Sequence, residues 1–480
     1  MDSKKPFYIT TTLPYVNAEP HVGFAMELIR ADAVARYKTL MGHDVFFNTG
    51  TDEHGQKLYD GAKEKGVSPQ EFVDQYAESF KKLLPALGIT KDVHFIRTTD
   101  EAHAKAAQEF WKLCDKNGYI YKKEYKVKYC VGCELEKTES ELIDGRCPIH
   151  PNKEIEIREE ENYFFKWSEF EKPLLDFYDT HPNFVTPDFR FNEIKEFIKR
   201  GLQDFSISRL KEKMSWGVPV PGDPEHVMYV WFDALTNYIS TLGWPDNTEA
   251  FEKFWINGTP VQYAGKDNLR QQSAMWQAML MAAGLPNSHR IIINGFITGE
   301  SGVKMSKSLG NVVNPYDVVN EYGTDALRYY LLREVSSFED SPFTMELFAQ
   351  AYNSGLVNGI GNLTSRVMKL AEDNIDEPIL IEEKDFDSEY QKAFEEFDLK
   401  KAADFVWAKI TEIDTFIEQE RPFSVVKEDK EKGRELIAHM VQNLNSIAYH
   451  LQPLLPETSE KIFEAISHNK KPETPLFERK

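Results

Sequence analysis

Phe7-Tyr8-Ile9-Thr10-Thr11-Thr12 and, further on, Val45-Phe46-Phe47-Asn48-Thr49 bracket the stretch that decides the fold. Both runs are β-branched and aromatic, which suits buried strands. Between them Val22, Ala25, Met26, Ile29, Ala33, Tyr37 and Leu40 recur at three and four residues, the spacing of an amphipathic helix. Pro14, Asn17 and Pro20 punctuate the loop before that helix, and Gly42 is placed to cap its end. Strand, helix and strand within about fifty residues predict a parallel βαβ unit, the start of a doubly wound, Rossmann-like α/β sheet.

Outward from this unit the pattern changes. From Gly118 to Val220 short strand-like pieces alternate with turns and acidic runs such as Arg158-Glu159-Glu160-Glu161, and three of the four cysteines lie here. An insertion with its own small core is expected. Strand and helix alternation returns with His226–Trp231, Val261–Ala264, a helix through Leu280, and Arg290–Asn294, which read as the second half of the same sheet. Beyond Phe343 the strand signals stop. Phe405, Ile410, Ile413, Phe416 and Ile417 follow a helical period, broken at Arg421-Pro422. The expected layout is an α/β catalytic domain over 1–117 and 227–299, split by an insertion over 118–226. A loop and connecting region over 300–350 and an α-helical domain over 351–480 complete it. The acidic stretch Glu382–Asp398 reads as a solvated connection or a charged helix face.

At 480 residues the chain is too long for one core, so two to four domains are expected. Its formal net charge of −21, from 57 basic and 78 acidic side chains, argues against a general nucleic-acid coat. Any nucleic acid must be met by local basic patches. Met1–Pro6 leads into a strand without an apolar signal core, and no apolar run reaches membrane-spanning length. Four cysteines make no disulfide scaffold at this size. These features predict a cytoplasmic enzyme with no membrane partner.

Two elements carry the chemistry. His21-Val22-Gly23-Phe24 stands where the first loop meets the helix; unpaired N–H groups and the helix dipole make such a terminus a natural phosphate site. A capping His followed by a small packing residue explains the same four residues. Lys304-Met305-Ser306-Lys307-Ser308 follows a glycine-bearing lead-in, and its two lysines suit a loop closing on a triphosphate. A third element is Cys130-Val131-Gly132-Cys133 with Cys147-Pro148-Ile149-His150, two ligand pairs at knuckle spacing. Cys130, Cys133, Cys147 and His150 would complete a closed tetrahedral zinc site, so one structural Zn2+ is expected. Cys114 falls outside that pattern and is expected to be buried.

The His21 and Lys304–Ser308 elements resemble the two signatures of the class I aminoacyl-tRNA synthetases. Within that class the chain is similar to the methionine-specific family along nearly its whole length. The resemblance includes Leu13–Asn17, Thr49–Gly55, Tyr229–Ala234 and Gly265-Lys266-Asp267. It implies two steps: activation of methionine by Mg2+-ATP to an adenylate and pyrophosphate, then transfer to the 3′ end of tRNA(Met). His21, Gly23, Lys304 and Lys307 would then handle ATP, with Lys266 a further contact. Asp52 would take the substrate ammonium. Leu13, Tyr15, Trp231, Ala234 and Tyr238 would line the side-chain pocket, with Arg209, Asp267, Asn268 and Gln272 as further substrate contacts. Flexible thioethers pack well on aromatic faces; ordinary core packing is the competing reading of Trp231 and Tyr238. Asn362, Arg366 and Phe423 match anticodon-reading positions, where an aromatic stacks on an unstacked base.

The chain departs from the family pattern at Phe24, which replaces a common second His. Asn268 and Gln272 stand where an aliphatic residue and a His are usual, and Phe423 where Trp is common. A class I synthetase for another amino acid, a related nucleotidylyltransferase, and a zinc-knuckle RNA-binding protein without catalysis are the competing functions. The tail carries no further module after the helices, so a monomer is expected.

Overall fold

The computed structural model describes residues 4–137, 141–299, 313–380 and 385–480. The chain divides into two compact units that interleave in sequence. One comprises residues 1–20, 43–82 and 92–293; the other comprises 21–42, 83–91 and 294–480.

The first unit is built on strands β1 (Pro6–Thr10), β2 (Asp44–Thr51) and β3 (His94–Arg97) from the opening stretch. The strands β4 (Ile120–Cys130), β5 (Leu135–Lys137), β6 (Ile155–Phe165), β7 (Val185–Thr186), β8 (Phe205–Ser206), β9 (Ser208–Leu210) and β10 (His226–Met228) follow. β11 (Thr259–Gly265) and β12 (Arg290–Asn294) close the series. Six of them form one sheet in the order β3-β2-β1-β11-β12-β7, in which the β3–β2, β2–β1, β1–β11 and β12–β7 pairings are parallel. β1 is central: Ile9 stands opposite Phe47 on one side and Val261 on the other. A strand buried on both faces reads as an unbroken apolar run, which is why the opening stretch was so legible. Strand order runs outward in both directions from β1 and β11, and in such sheets ligands bind beyond the carboxyl ends at that reversal.

The insertion has its own antiparallel sheet, β5-β4-β6-β8, in which β4 and β6 pair from Ile120↔Phe165 to Cys130↔Ile155. Two strands depart from the sequence reading. His226–Trp231, expected in the parallel sheet, supplies only β10, which pairs antiparallel with β9 at Val227↔Arg209. The residues after it turn helical over Val230–Ala234. A short apolar run cannot by itself distinguish a buried strand from the buried first turn of a helix. Conversely, β7 lies inside the interval 118–226 yet occupies the edge of the parallel sheet, with Ile291 opposite Val185. A two-residue strand leaves no periodicity to find.

The second unit contains the helix Val22–Leu40 and the C-terminal helices. Arg30, 1% exposed, anchors the former by donating to Asn294 Oδ1 at 2.8 Å and to the Ser336 and Ser337 carbonyls at 2.7 and 3.0 Å. The long helices Leu399–Glu420 and Lys430–Leu451 are capped by Asp398 and Asp429, whose side chains accept from Lys401 and Lys432 N–H. Ile410, Ile413 and Ile417 face inward, as their spacing predicts. The acidic stretch is partly structural: its helix Ser388–Glu395 buries Tyr390 and Phe394, and Phe394 stacks on Tyr37 at 4.2 Å.

Candidate active site and metal centre

Thr51-Asp52-Glu53-His54-Gly55 leaves the carboxyl end of β2. The segment after β1 runs beside it: Asp52 N–H donates to the Pro14 carbonyl at 3.0 Å, and Val16 N–H to the Asp52 carbonyl at 3.3 Å. Leu13 and Tyr15, half-buried, are thereby brought to Asp52. The Asp52 carboxylate is 6% exposed and its Oδ1 has no hydrogen-bond partner among the described residues. Burial, then the negative charges of Asp233 and Glu134, push its pKa well above the usual carboxylate range, with the His54 N–H opposing. A carboxylate held that way is a receptor for a cation, because an arriving ammonium supplies the missing partner.

The strand end is fixed from behind. Glu53, fully buried, receives a forked pair from Arg97 at 2.7 and 2.8 Å and the hydroxyls of Thr51 and Thr99 at 2.6 and 2.5 Å. Gly55 follows at φ +113, where a side chain would strain the backbone and collide with the Tyr15 hydroxyl. That hydroxyl donates to Glu134 Oε1 at 2.8 Å, and Lys57 N–H donates to the same oxygen at 2.9 Å.

Trp231 and Ala234 sit on the short helix Val230–Ala234, and Tyr238 on the next, Asn237–Ser240. Asp233 ties the first of these to the Asp52 segment through His54. Ala234 and Tyr238 are buried, while Trp231 is half-buried with Nε1 unpartnered among the described residues. Gln272, 1% exposed, donates from Nε2 to the Tyr238 hydroxyl at 2.8 Å, so these two pocket candidates do meet. Lys266, Asp267 and Asn268 form a single turn after β11, with Asp267 exposed. Arg209 is buried between the Tyr129 and Tyr229 rings, at 5.1 and 4.8 Å, and donates to Ser206 Oγ at 2.8 Å. One of these rings belongs to the insertion and the other to the segment that follows it.

In the second unit His21 is the N-cap of Val22–Leu40: its Nδ1 accepts from Gly23 N–H at 3.1 Å. The capping geometry and an exposed ring at a helix N-terminus thus coexist. Lys304 and Lys307 lie outside the described residues. Asn362 and Arg366 start the helix Asn362–Asn374; Asn362 is exposed and Arg366 pairs with Asp414 at 2.9 Å. Phe423 is 46% exposed after the Arg421-Pro422 break, so it is not a core aromatic.

The four knuckle residues converge. Cys130, Cys133, Cys147 and His150 offer ligand atoms that all lie within 4.8 Å of one another. Cys133 Sγ is 3.4 Å from Cys147 Sγ and 3.2 Å from His150 Nδ1. A tetrahedral ion with metal–sulfur bonds of about 2.3 Å needs edges of roughly 3.3–3.8 Å, so the donor set is of the right size and kind. Gly132 is obligatory, since any side chain there would strike the His150 ring. These residues could hold a metal ion. Cys114, outside the set, is fully buried, as expected.

Known proteins agree with this architecture. The family model "tRNA synthetases class I (M)" matches residues 7–155 and 132–368, and "Anticodon binding domain of methionyl tRNA ligase" matches 373–475. The chain belongs to the methionyl-tRNA synthetase family. The methionine–tRNA ligase of Thermotoga maritima is 41% identical over 97% of this chain and 76% of its own length. That of a Nostoc species is 40% identical over 97% and 90%. Among solved structures, Mycobacterium tuberculosis methionyl-tRNA synthetase in complex with methionyl-adenylate matches with a TM-score of 0.90 and 34% identity, covering 99% of this chain and 100% of that one. The α/β sheet falls within the synthetase match, and the helices from residue 388 onward fall mostly within the anticodon-domain match. Sequence reading missed Glu53 with Arg97, Glu134, and the His54–Asp233–His103 cluster. Each pairing joins residues far apart in the chain, and no local spacing signals it.

Proposed function

We propose that the chain activates L-methionine with ATP and transfers it to tRNA(Met), serving translation as its family does. In the first step a carboxylate oxygen of methionine attacks the α-phosphorus of ATP. The α–β anhydride bond breaks and pyrophosphate leaves. In the second, a hydroxyl of the terminal ribose of the tRNA attacks the adenylate carbonyl and AMP departs. Neither step needs a strong protein base, so positioning and charge stabilisation suffice.

The observation that carries this reading is the buried Asp52 carboxylate with one oxygen unpartnered, at the carboxyl end of β2 beside Tyr15. It receives the methionine ammonium, while Leu13, Tyr15, Trp231, Ala234, Tyr238 and Gln272 surround the thioether. His21, Gly23, Lys266, Lys304 and Lys307 contact ATP, which enters as its Mg2+ complex. Asp267, Asn268 and Arg209 are outer contacts to substrate. Zinc is the metal at the knuckle, where three thiolates and one imidazole suit it. It has a structural role, since four protein ligands leave no open position. Phe423 stacks on an anticodon base while Asn362 and Arg366 read its neighbours. The protein acts as a monomer in the cytoplasm.

The test is pyrophosphate exchange into ATP by the purified protein across a panel of amino acids. Exchange strongly favouring methionine is expected; none with methionine, or equal exchange with leucine, overturns the proposal.

A further inference from the structure

One buried cluster is not used by the reaction just described. His54 Nδ1 lies 2.5 Å from Asp233 Oδ2, and His103 Nε2 lies 2.7 Å from Asp233 Oδ1. The three residues are 7%, 0% and 0% exposed. An ionised carboxylate only accepts, so each ring donates one N–H to it. His103 Nδ1 is 2.9 Å from Ser240 Oγ, which fixes the ring from its other side. Burial opposes the Asp233 charge, yet the two rings outweigh it and hold the group down at about 2.

The cluster joins three segments that are distant in sequence. His54 is two residues beyond Asp52, His103 is on the helix Glu101–Lys116, and Asp233 lies between Trp231 and Ala234. Three buried ionisable groups are a poor way to stabilise a core, because apolar side chains of like volume do it as well or better. Such groups concentrate where geometry or charge serves a reaction. Asp233 is also the charge that acts most strongly on Asp52. With both Asp233 oxygens occupied, Asp52 Oδ1 is the acceptor left over.

We propose that Asp233, clamped between His54 and His103, is a positioning residue for methionine activation. It locks the Asp52 strand end to the helix carrying Trp231 and Ala234, and it leaves Asp52 as the anion open to the substrate ammonium. This inference rests on the activity proposed above. It concerns methionine and not ATP, so its loss must appear in one Michaelis constant and not the other.

Amide side chains provide the test. The nitrogen of asparagine falls near the place of imidazole Nδ1, and that of glutamine near Nε2. His54 donates from Nδ1 and His103 from Nε2, so the rescuing residue must differ between the two positions. His54→Asn and His103→Gln should keep the KM for methionine within about threefold of the parent, whereas His54→Gln and His103→Asn should raise it about tenfold or more. The KM for ATP should stay within about twofold in all four. Asp233→Asn should behave like the two poor variants. A packing role alone would rank asparagine and glutamine the same way at both positions. That outcome, or methionine and ATP constants rising together, overturns the clamp. Exchange by the parent protein is measured first: its absence defeats the activity itself, whereas its presence without the crossed pattern defeats only the clamp. Should Asp233→Asn not fold, the four histidine variants decide the matter.

Discussion

The metal knuckle and the Asp52 pocket are built in opposite ways. All four metal-ligand candidates fall within the 21 residues from Cys130, the last residue of β4, to His150. The proposed methionine pocket draws Tyr15, Asp52, Asp233, Tyr238 and Gln272 from four stretches of the chain, joined by a backbone bridge and side-chain hydrogen bonds. A local site is specified by spacing; a distributed site is specified by topology. The two meet at Glu134, next to a metal-ligand candidate and hydrogen-bonded to Tyr15 of the pocket. The comparison makes definite demands on both.

The largest effect is expected at the distributed site. Asp52→Asn keeps the shape and removes the charge, leaving a buried ammonium without its partner. Losses of that kind run at about 3–5 kcal/mol, so kcat/KM for methionine should fall by roughly 150-fold to 5,000-fold. Exchange kinetics measure it. A loss below about fivefold would remove Asp52 as the ammonium receptor.

Cys147→Ser attacks the local site. Metal content, measured by atomic emission, should fall from about one ion per chain to a small fraction, and thermal stability should fall with it. Because Glu134 is adjacent, the KM for methionine should also rise, by up to about tenfold. A folded protein with an empty knuckle and an unchanged KM would show the two sites to be independent.

A pH profile probes Asp52 from another side. Its pKa in the free protein is raised, so lowering the pH protonates it before an ordinary carboxylate would respond. Binding the ammonium of zwitterionic methionine needs the ionised form of Asp52. kcat/KM should therefore fall with acid about tenfold per pH unit below that pKa, with kcat less affected because bound substrate stabilises the ionised form. Asp233, held down at about 2, stays charged across the same range and adds no second step. A profile that turns down only where an ordinary carboxylate titrates would contradict the raised pKa.

What was legible in the sequence follows the same division. β1, the helix Val22–Leu40 and β2 were readable because each is a regular element buried over most of its length. The knuckle was readable because ligand spacing is local. β7 and the His226–Met228 strand were not, being two and three residues long. In the pocket, resemblance supplied Asp52, Tyr15 and Tyr238, whereas the Glu53–Arg97 fork and the Asp233 clamp escaped notice. Such polar pairs depend on which strand ends the sheet places side by side, and that is a property of the folded chain.

Cys114 gives the smallest effect and the cleanest control on the local site. It is the one cysteine outside the knuckle, fully buried in the helix Glu101–Lys116, with its thiol directed at the Met279 carbonyl at 3.8 Å. Burial pushes its pKa well above that of a free thiol, so it remains a neutral, unreactive group. Cys114→Ala removes one sulfur from a packed core and should cost about 1 kcal/mol of stability, seen as a fall of about one to two degrees in the melting temperature. Metal content and the KM for methionine should not change. Were Cys114→Ala to release the ion as Cys147→Ser does, the four-residue donor set from Cys130 to His150 would be incomplete, and local spacing would no longer account for the metal site.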